Sequence, residues 1–205
     1  AFFRCENLRT VTPLLPATLV SLGADAFSDK DPLVGDLRLS NRNLEAAGSF
    51  YGTKLTSVDF SGSSVTSTCQ NCFRSASTLT NVVLDAALQT IGANTFYNAT
   101  ASLKGLRFLG EPPETIGAEA FGGNSAPDKW TDLQCRICMP KGRGWEAYVA
   151  ASCAPLALTD DEKRTFAQRF PGEKIPKEKI KLPTATAYQY LCYYPLGKGM
   201  RLIFR

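Results

Sequence analysis

Thr90-Ile91-Gly92-Ala93-Asn94-Thr95-Phe96 decides the fold, because its pattern recurs along the chain. Phe96 belongs to a series, Phe2, Phe27, Phe50, Phe73, Phe96 and Phe121, separated by 25, 23, 23, 23 and 25 residues. Each ring follows a small residue: Ala1, Ala26, Ser49, Cys72, Thr95 or Ala120. A large ring beside a small neighbour at fixed spacing predicts stacked rings forming one column of a continuous core. The step Ile91-Gly92 has counterparts at the same offset in Leu22-Gly23 and Ile116-Gly117, and Leu19, Val65 and Leu88 stand earlier in their units.

Downstream of the rings come Leu8, Leu33, Leu55, Leu79 and Leu103. An alternating apolar pattern follows, as in Leu55-x-x-Val58-x-Phe60, Leu79-x-x-Val82-x-Leu84 and Leu103-x-x-Leu106-x-Phe108, with Leu37 and Leu39 in the second unit. Period-two alternation over so few residues predicts a short strand. One short strand and a turn cannot bury an apolar face, whereas stacked copies can, which is the logic of a solenoid. Arg42 and Glu45 fall where apolar residues are expected, so a bulge or looser turn is predicted near residues 41–45.

These units resemble the BspA-like class of leucine-rich repeats, which read as small-Phe, a polar step, Leu, a short strand and then Leu/Ile-Gly. Ala1-Phe2-Phe3-Arg4-Cys5-Glu6-Asn7-Leu8 and the stretch from Thr90 to Phe96 carry the likeness. Ile137-Cys138-Met139-Pro140-Lys141-Gly142, with Glu146-Ala147-Tyr148 after it, is similar to the way such arrays end, so the resemblance covers residues 1–151. It implies an α/β-type solenoid: a right-handed leucine-rich-repeat array with short parallel strands, an irregular or short helical convex side, and a C-terminal α+β cap. The expected division is a solenoid over 1–158 and a cap or small module over 159–205. The resemblance also implies a non-catalytic recognition module of adhesion type, binding a protein or glycan on or outside a bacterial cell. The alternatives are a carbohydrate- or cell-wall-binding component of a larger enzyme system, and a structural spacer. The chain opens inside a repeat, so its N-terminus is read as trimmed or incomplete.

The C-terminal part follows other rules. Thr159-Asp160-Asp161-Glu162 has the form of a capping box and predicts a helix over 162–169, ended by Pro171-Gly172. Residues 174–181 read as an extended loop, 185–194 as an aromatic-rich segment with Tyr188, Tyr190, Tyr193 and Tyr194, and 200–204 as a strand. Two roles fit this part: a cover for the open end of the solenoid, or a module whose tyrosines touch a partner.

Composition narrows the chemistry. The chain of 205 residues has no histidine, which excludes Ser-His-Asp and Cys-His catalysis and imidazole-dependent metal sites within it. A net charge of +4 is too mild to imply a nucleic-acid partner. No apolar run is long enough to span a bilayer, and a monomer is expected. Cys69-x-x-Cys72 and Cys135-x-x-Cys138 have the form of a zinc site. Their register opposes it: Cys69 takes the glycine position of the repeat, Cys72 the small position before Phe73, and residues three apart on a strand face opposite ways. The two pairs also belong to units two or three strands apart, on the order of 10–14 Å. No metal, cofactor or catalytic residue is therefore expected. The acidic cluster at Asp160, Asp161 and Glu162 is explained by the cap, and Gly142-Arg143-Gly144 by a turn before a short helix at Trp145.

The working surface is expected on the solvent side of the strands. Thr12, Arg38, Asp59, Val83 and Arg107 fall between buried positions, and Ser40, Ser61 and Asp85 form a neighbouring exposed column. Arg38, Asp59, Val83 and Arg107 are the expected partner-binding residues, on a polar, mixed-charge face. Alternating Arg and Asp on adjacent strands have a second outlet in pairing with each other.

Overall fold

The computed structural model describes residues 18–20, 22, 25–27, 33–39, 46–47, 50–99, 103–122, 135–185 and 187–195. Four of the described repeats contribute one longer strand and one two-residue strand each, and a fifth longer strand follows. The longer strands are β1 (Val34–Arg38), β3 (Lys54–Asp59), β5 (Asn81–Leu84), β7 (Gly105–Phe108) and β9 (Arg136–Pro140). The short ones are β2 (Ala46–Ala47), β4 (Ser67–Thr68), β6 (Thr90–Ile91) and β8 (Thr115–Ile116). After β9 come α1 (Trp145–Ser152), β10 (Leu156–Ala157), α2 (Asp160–Arg169), β11 (Glu178–Ile180) and β12 (Gln189–Tyr194).

Two sheets result. One is ordered β1-β3-β5-β7-β9-β12-β11-β10, and the other β2-β4-β6-β8. Every pairing between successive repeats is parallel, including β12 against β9; only β12-β11 and β11-β10 are antiparallel. The return side of the described repeats is made of turns and two-residue strands, the irregular form of the two expected. β1 carries a bulge between Gly35 and Asp36, whereas the irregularity expected at 41–45 lies outside the described residues.

The phenylalanine column stacks as the spacing predicts. Phe27, Phe50, Phe73, Phe96 and Phe121 lie ring on ring, with centroid separations of 5.3, 5.4, 5.5 and 5.5 Å and interplanar angles of 4–13°. All five are fully buried; Phe2 lies outside the described residues. The small residue before each ring leaves room for a backbone ladder. Phe73 N–H donates to Thr95 O, and Phe96 N–H to Ala120 O, both at 2.8 Å.

Glycine at the Ile-Gly step answers a close approach. A Cβ on Gly92 would come within 2.7 Å of the Cys69 and Thr68 backbone, and one on Gly117 within 2.5 Å of Ala93 N. Polar groups at this corner satisfy one another: Gly92 N–H donates to Thr68 Oγ1 at 2.9 Å, and Thr95 Oγ1 donates to Gly92 O at 2.7 Å.

The main core lies between the two sheets. Leu37, Val58, Val82, Leu106, Ile137 and Leu191 are register partners across successive strands of the larger sheet and all belong to it. Each buries apolar surface at about 25 cal/mol per Å².

The C-terminal elements close on both faces of the larger sheet. α1 places Trp145 and Val149 in the main core, and Trp145 Nε1 donates to Gly110 O at 2.8 Å. Gly142 and Gly144, both at positive φ, make the turn that starts α1, as expected for that glycine pair. α2 begins at Asp160, two residues before the expected start, because Thr159 is the N-cap; the capping box with Glu162 is complete. Phe166 of α2 packs with Leu158 and Tyr190 in a separate small cluster. The expected loop over 174–181 contains β11: Ile180 enters the main core, and antiparallel pairing with β12 satisfies its backbone. The strand expected at 200–204 lies outside the described residues.

Candidate recognition face

The face of the larger sheet turned away from the main core carries the residues expected to bind. Arg38 pairs in register with Asp59, Asp59 with Val83, Val83 with Arg107, and Arg107 with Cys138. Cys138 in turn pairs with Cys192 of β12. The four residues therefore form one row, which two cysteines extend.

The row is not uniform. Arg38 and Asp59 are the open part, with side chains 67% and 36% exposed, and Arg38 Nε lies 3.8 Å from Asp59 Oδ2. So exposed a pair adds little to stability. Asp59 also accepts the Ser61 N–H at 2.8 Å, which fixes the aspartate. Val83 is half-buried. Arg107 departs from the expectation of an open guanidinium. Its guanidinium carbon lies 4.4 Å from the centre of the Tyr194 ring, and Tyr194 Oη donates to Phe108 O at 2.6 Å. The aromatic segment thus lies over one of the expected binding residues.

A second row runs beside the first: Asp36, Ser57, Asn81, Gly105, Arg136 and Tyr190. Asp36 accepts from Thr56 Oγ1 and Ser57 Oγ, both at 2.7 Å, and these hydrogen bonds hold its carboxyl below the ordinary value. At the other end, α2 covers the row. Tyr190 is fully buried against Phe166. The Arg136 guanidinium lies over Phe170 at 4.5 Å and pairs with Glu173 at 2.9 Å.

One expectation is corrected here. Asp85 is not part of an exposed column; it is 8% exposed and accepts the N–H groups of Gly62 at 2.7 Å and Ala87 at 3.0 Å. Both carboxylate oxygens are thus engaged in tying two successive repeats, and the side chain is turned away from a partner. Tyr188, Tyr190, Tyr193 and Tyr194 lie in different surroundings. Tyr190 is core, Tyr194 is tied to Phe108 and Arg107, Tyr188 lies near Lys179 and Lys181, and Tyr193 is exposed. Thr12 and Ser40 lie outside the described residues.

Beyond the covered end, a cavity of about 710 Å³ opens between the β9–β12 strands and the connection from α2 to β11. Arg136, Cys138, Cys192 and Tyr194 contribute from the sheet, and residues 173–178 close the other side. Sequence reasoning missed it, because Cys138 and Cys192 are far apart in the chain and meet only through the β9–β12 pairing. The alternating run Gln189-Tyr190-Leu191-Cys192-Tyr193-Tyr194 held the available signal: it reads as a strand.

Among the described residues no group of three or more His, Cys, Asp or Glu side chains is placed to hold a metal ion. Cys69 and Cys72 share a hydrogen bond; burial, first, and then this bond push the Cys72 thiol up. Cys135 is buried in the main core and Cys138 faces the cavity, the opposite-face arrangement expected of them.

Residues 1–126 match the BspA type leucine rich repeat region in six copies. The chain belongs to the BspA-type leucine-rich-repeat family. No curated protein and no solved structure matches it. Repeats of this family build recognition surfaces and are typically non-catalytic. Among the described residues no helix is long and apolar enough to cross a membrane.

Proposed function

We propose that this BspA-type repeat protein is a non-catalytic recognition module of adhesion type, monomeric, acting on or outside a bacterial cell. In this reading it binds a protein or glycan partner along the open rows of the larger sheet, and residues from 159 onward cap the repeat array. The observation that carries the reading is the register alignment of Arg38, Asp59 and Val83, with Asp36, Ser57 and Asn81 beside them. Parallel strands spaced by roughly 4.8 Å turn these side chains into a matched, mixed-charge surface. Arginine is also enriched among the residues that dominate interfaces. Arg107 contributes through the edge it leaves beside Tyr194.

The test screens the protein against matrix proteins and a glycan array, then compares wild type with an Arg38→Ala, Asp59→Ala double variant. A partner from the screen is expected to bind the variant at least tenfold more weakly, the loss of about 1.4 kcal/mol expected from one interface anchor. Unchanged affinity in a variant with unchanged melting temperature removes this face as the site. Absence of any partner favours a spacer role.

A further inference from the structure

Cys138 and Cys192 are register partners on adjacent parallel strands. Such strands lie roughly 4.8 Å apart, within the Cα separation of about 4.4–6.8 Å that a disulfide spans. Ile137 and Leu191, one residue before each, point into the main core, so both thiols leave the sheet on the other face. There they line the same cavity and are close enough to share a hydrogen bond. Cys69, half-buried, also shares a hydrogen bond with a second thiol, but its partner Cys72 is fully enclosed and neither lines this cavity. Cys72 and Cys135 are fully enclosed, and Cys153 belongs to the main core.

The surroundings favour a nucleophilic sulfur at Cys138. The hydrogen bond from Cys192 comes first in lowering its thiol; burial opposes it, and the positive charges of Arg136 and Arg107 lower it further against Glu173, the net direction being down. The bond to Cys138, together with burial, pushes Cys192 up, as suits a second thiol that reacts later. Arg136, Lys141, Lys174 and Lys177 border the cavity against Glu173 and Glu178, so its net charge is positive and an anionic reagent is drawn in.

We propose that Cys138 and Cys192 form a redox-active dithiol site whose substrate is a small, carboxylate-bearing disulfide of the oxidised-glutathione kind. The Cys138 thiolate attacks one sulfur of the small disulfide, its S–S bond breaks, and one small thiolate leaves and takes up the proton that Cys138 lost. Cys192 then gives up its proton and attacks the Cys138 sulfur of the mixed disulfide, displacing the second small thiol. Two protein thiols are oxidised to one disulfide and one small disulfide is reduced to two thiols. This chemistry sits at the covered end of the same row, away from the open part at Arg38 and Asp59, and its test needs no recognition partner.

The test incubates the reduced protein in glutathione buffers of increasing oxidised fraction, quenches with acid, alkylates and maps the peptides. A crosslink between the Cys138 and Cys192 peptides is expected, with Cys135 and Cys153 alkylated as thiols. Cys192→Ser is expected to accumulate glutathione on Cys138. Oxidised glutathione, which is anionic, should react about tenfold or more faster than cystamine, which is cationic, at low salt. No Cys138–Cys192 crosslink in wild type at any ratio, a measurement that needs no variant to fold, overturns the site. Glutathione on Cys192 of Cys138→Ser but none on Cys138 of Cys192→Ser overturns the assigned roles. Equal or reversed rates for the two reagents overturn the choice of an anionic substrate.

Discussion

Replacing Phe73 by alanine removes the middle of the ring column. Its ring stacks on Phe50 at 5.4 Å and 4°, on Phe96 at 5.5 Å and 11°, and meets Phe60 edge-on at 5.9 Å. The side chain is fully buried. Lost transfer energy and the cavity left behind cost about 3–5 kcal/mol for a change of this kind. Each aromatic pair adds about 0.5–1.5 kcal/mol beyond its area, and three pairs place Phe73→Ala near the top of that range, at about 5 kcal/mol. For a chain of this size that is a fall in Tm of roughly 10–20 °C. Phe73→Leu keeps most of the apolar area and loses the ring pairs, so about half the loss is expected. Urea melts at constant pH give both values. A cycle with Phe96→Ala, which breaks a shared contact, should depart from additivity by about 0.5–3 kcal/mol, whereas Phe27 and Phe96, with two rings between them, should add. Losses under about 1 kcal/mol for both Phe73→Ala and Phe96→Ala would mean that the rings do not carry the core.

Gly92→Ala should destabilise by about 1–3 kcal/mol in the same melts, because the added Cβ meets backbone that cannot move aside; a neutral effect would refute the close stacking of these repeats. Thr159→Ala should lose about 1 kcal/mol through the α2 cap, while Arg38→Ala should stay within about 0.5 kcal/mol. The Asp36 carboxyl is depressed by Thr56 and Ser57, so its contribution to stability is present above the unfolded carboxyl value and lost as pH falls through the folded one. The stability gap between wild type and a Thr56→Ala, Ser57→Ala variant should therefore narrow between pH 7 and pH 3, and a gap that widens would contradict those hydrogen bonds. A closed Cys138–Cys192 disulfide should raise stability by about 4 kcal/mol through the loop it constrains, read as a higher Tm in oxidised than in reduced protein.

The repeat itself was legible because it is redundant. The same ring, small residue and Ile-Gly step appear in several copies, so an error in one unit is corrected by the next. Register followed from it, since parallel strands of equal repeats place Arg38, Asp59, Val83 and Arg107 in one row without further information. What lay beyond the repeat was not legible in the same way. Tyr194 over Arg107, Cys192 beside Cys138 and α2 over Tyr190 are each single events between segments far apart in sequence. No periodicity announces them. The local part of this region was readable: Thr159 and Glu162 capped α2 as a four-residue motif requires. Asp85 was misread for a related reason. Its position in the alternation is that of an exposed residue, but its carboxylate is used by backbone N–H groups on its own and the preceding repeat, which alternation does not encode.

The C-terminal elements also set the length of the surface left to a partner. Six strands carry the row from Arg38 to Cys192, a span of roughly 24 Å at the usual strand spacing. Tyr194 covers the row at Arg107 and α2 covers its neighbour at Arg136, so among the described residues the continuous open part runs from β1 to β5. That is two strand steps, on the order of 10 Å, too narrow for a standard protein interface built on these two rows alone. A partner that binds over the described strands alone is slim, such as a single extended segment or a short glycan; a wider one reaches beyond them, onto the flanking turns or along the array before β1. The first kind of partner would lose nearly all affinity on changing Arg38 and Asp59 together. The second would lose part of it, and the remainder would map to flanking turn residues such as Tyr51 and Arg74. Which pattern the double variant gives distinguishes the two modes of engagement.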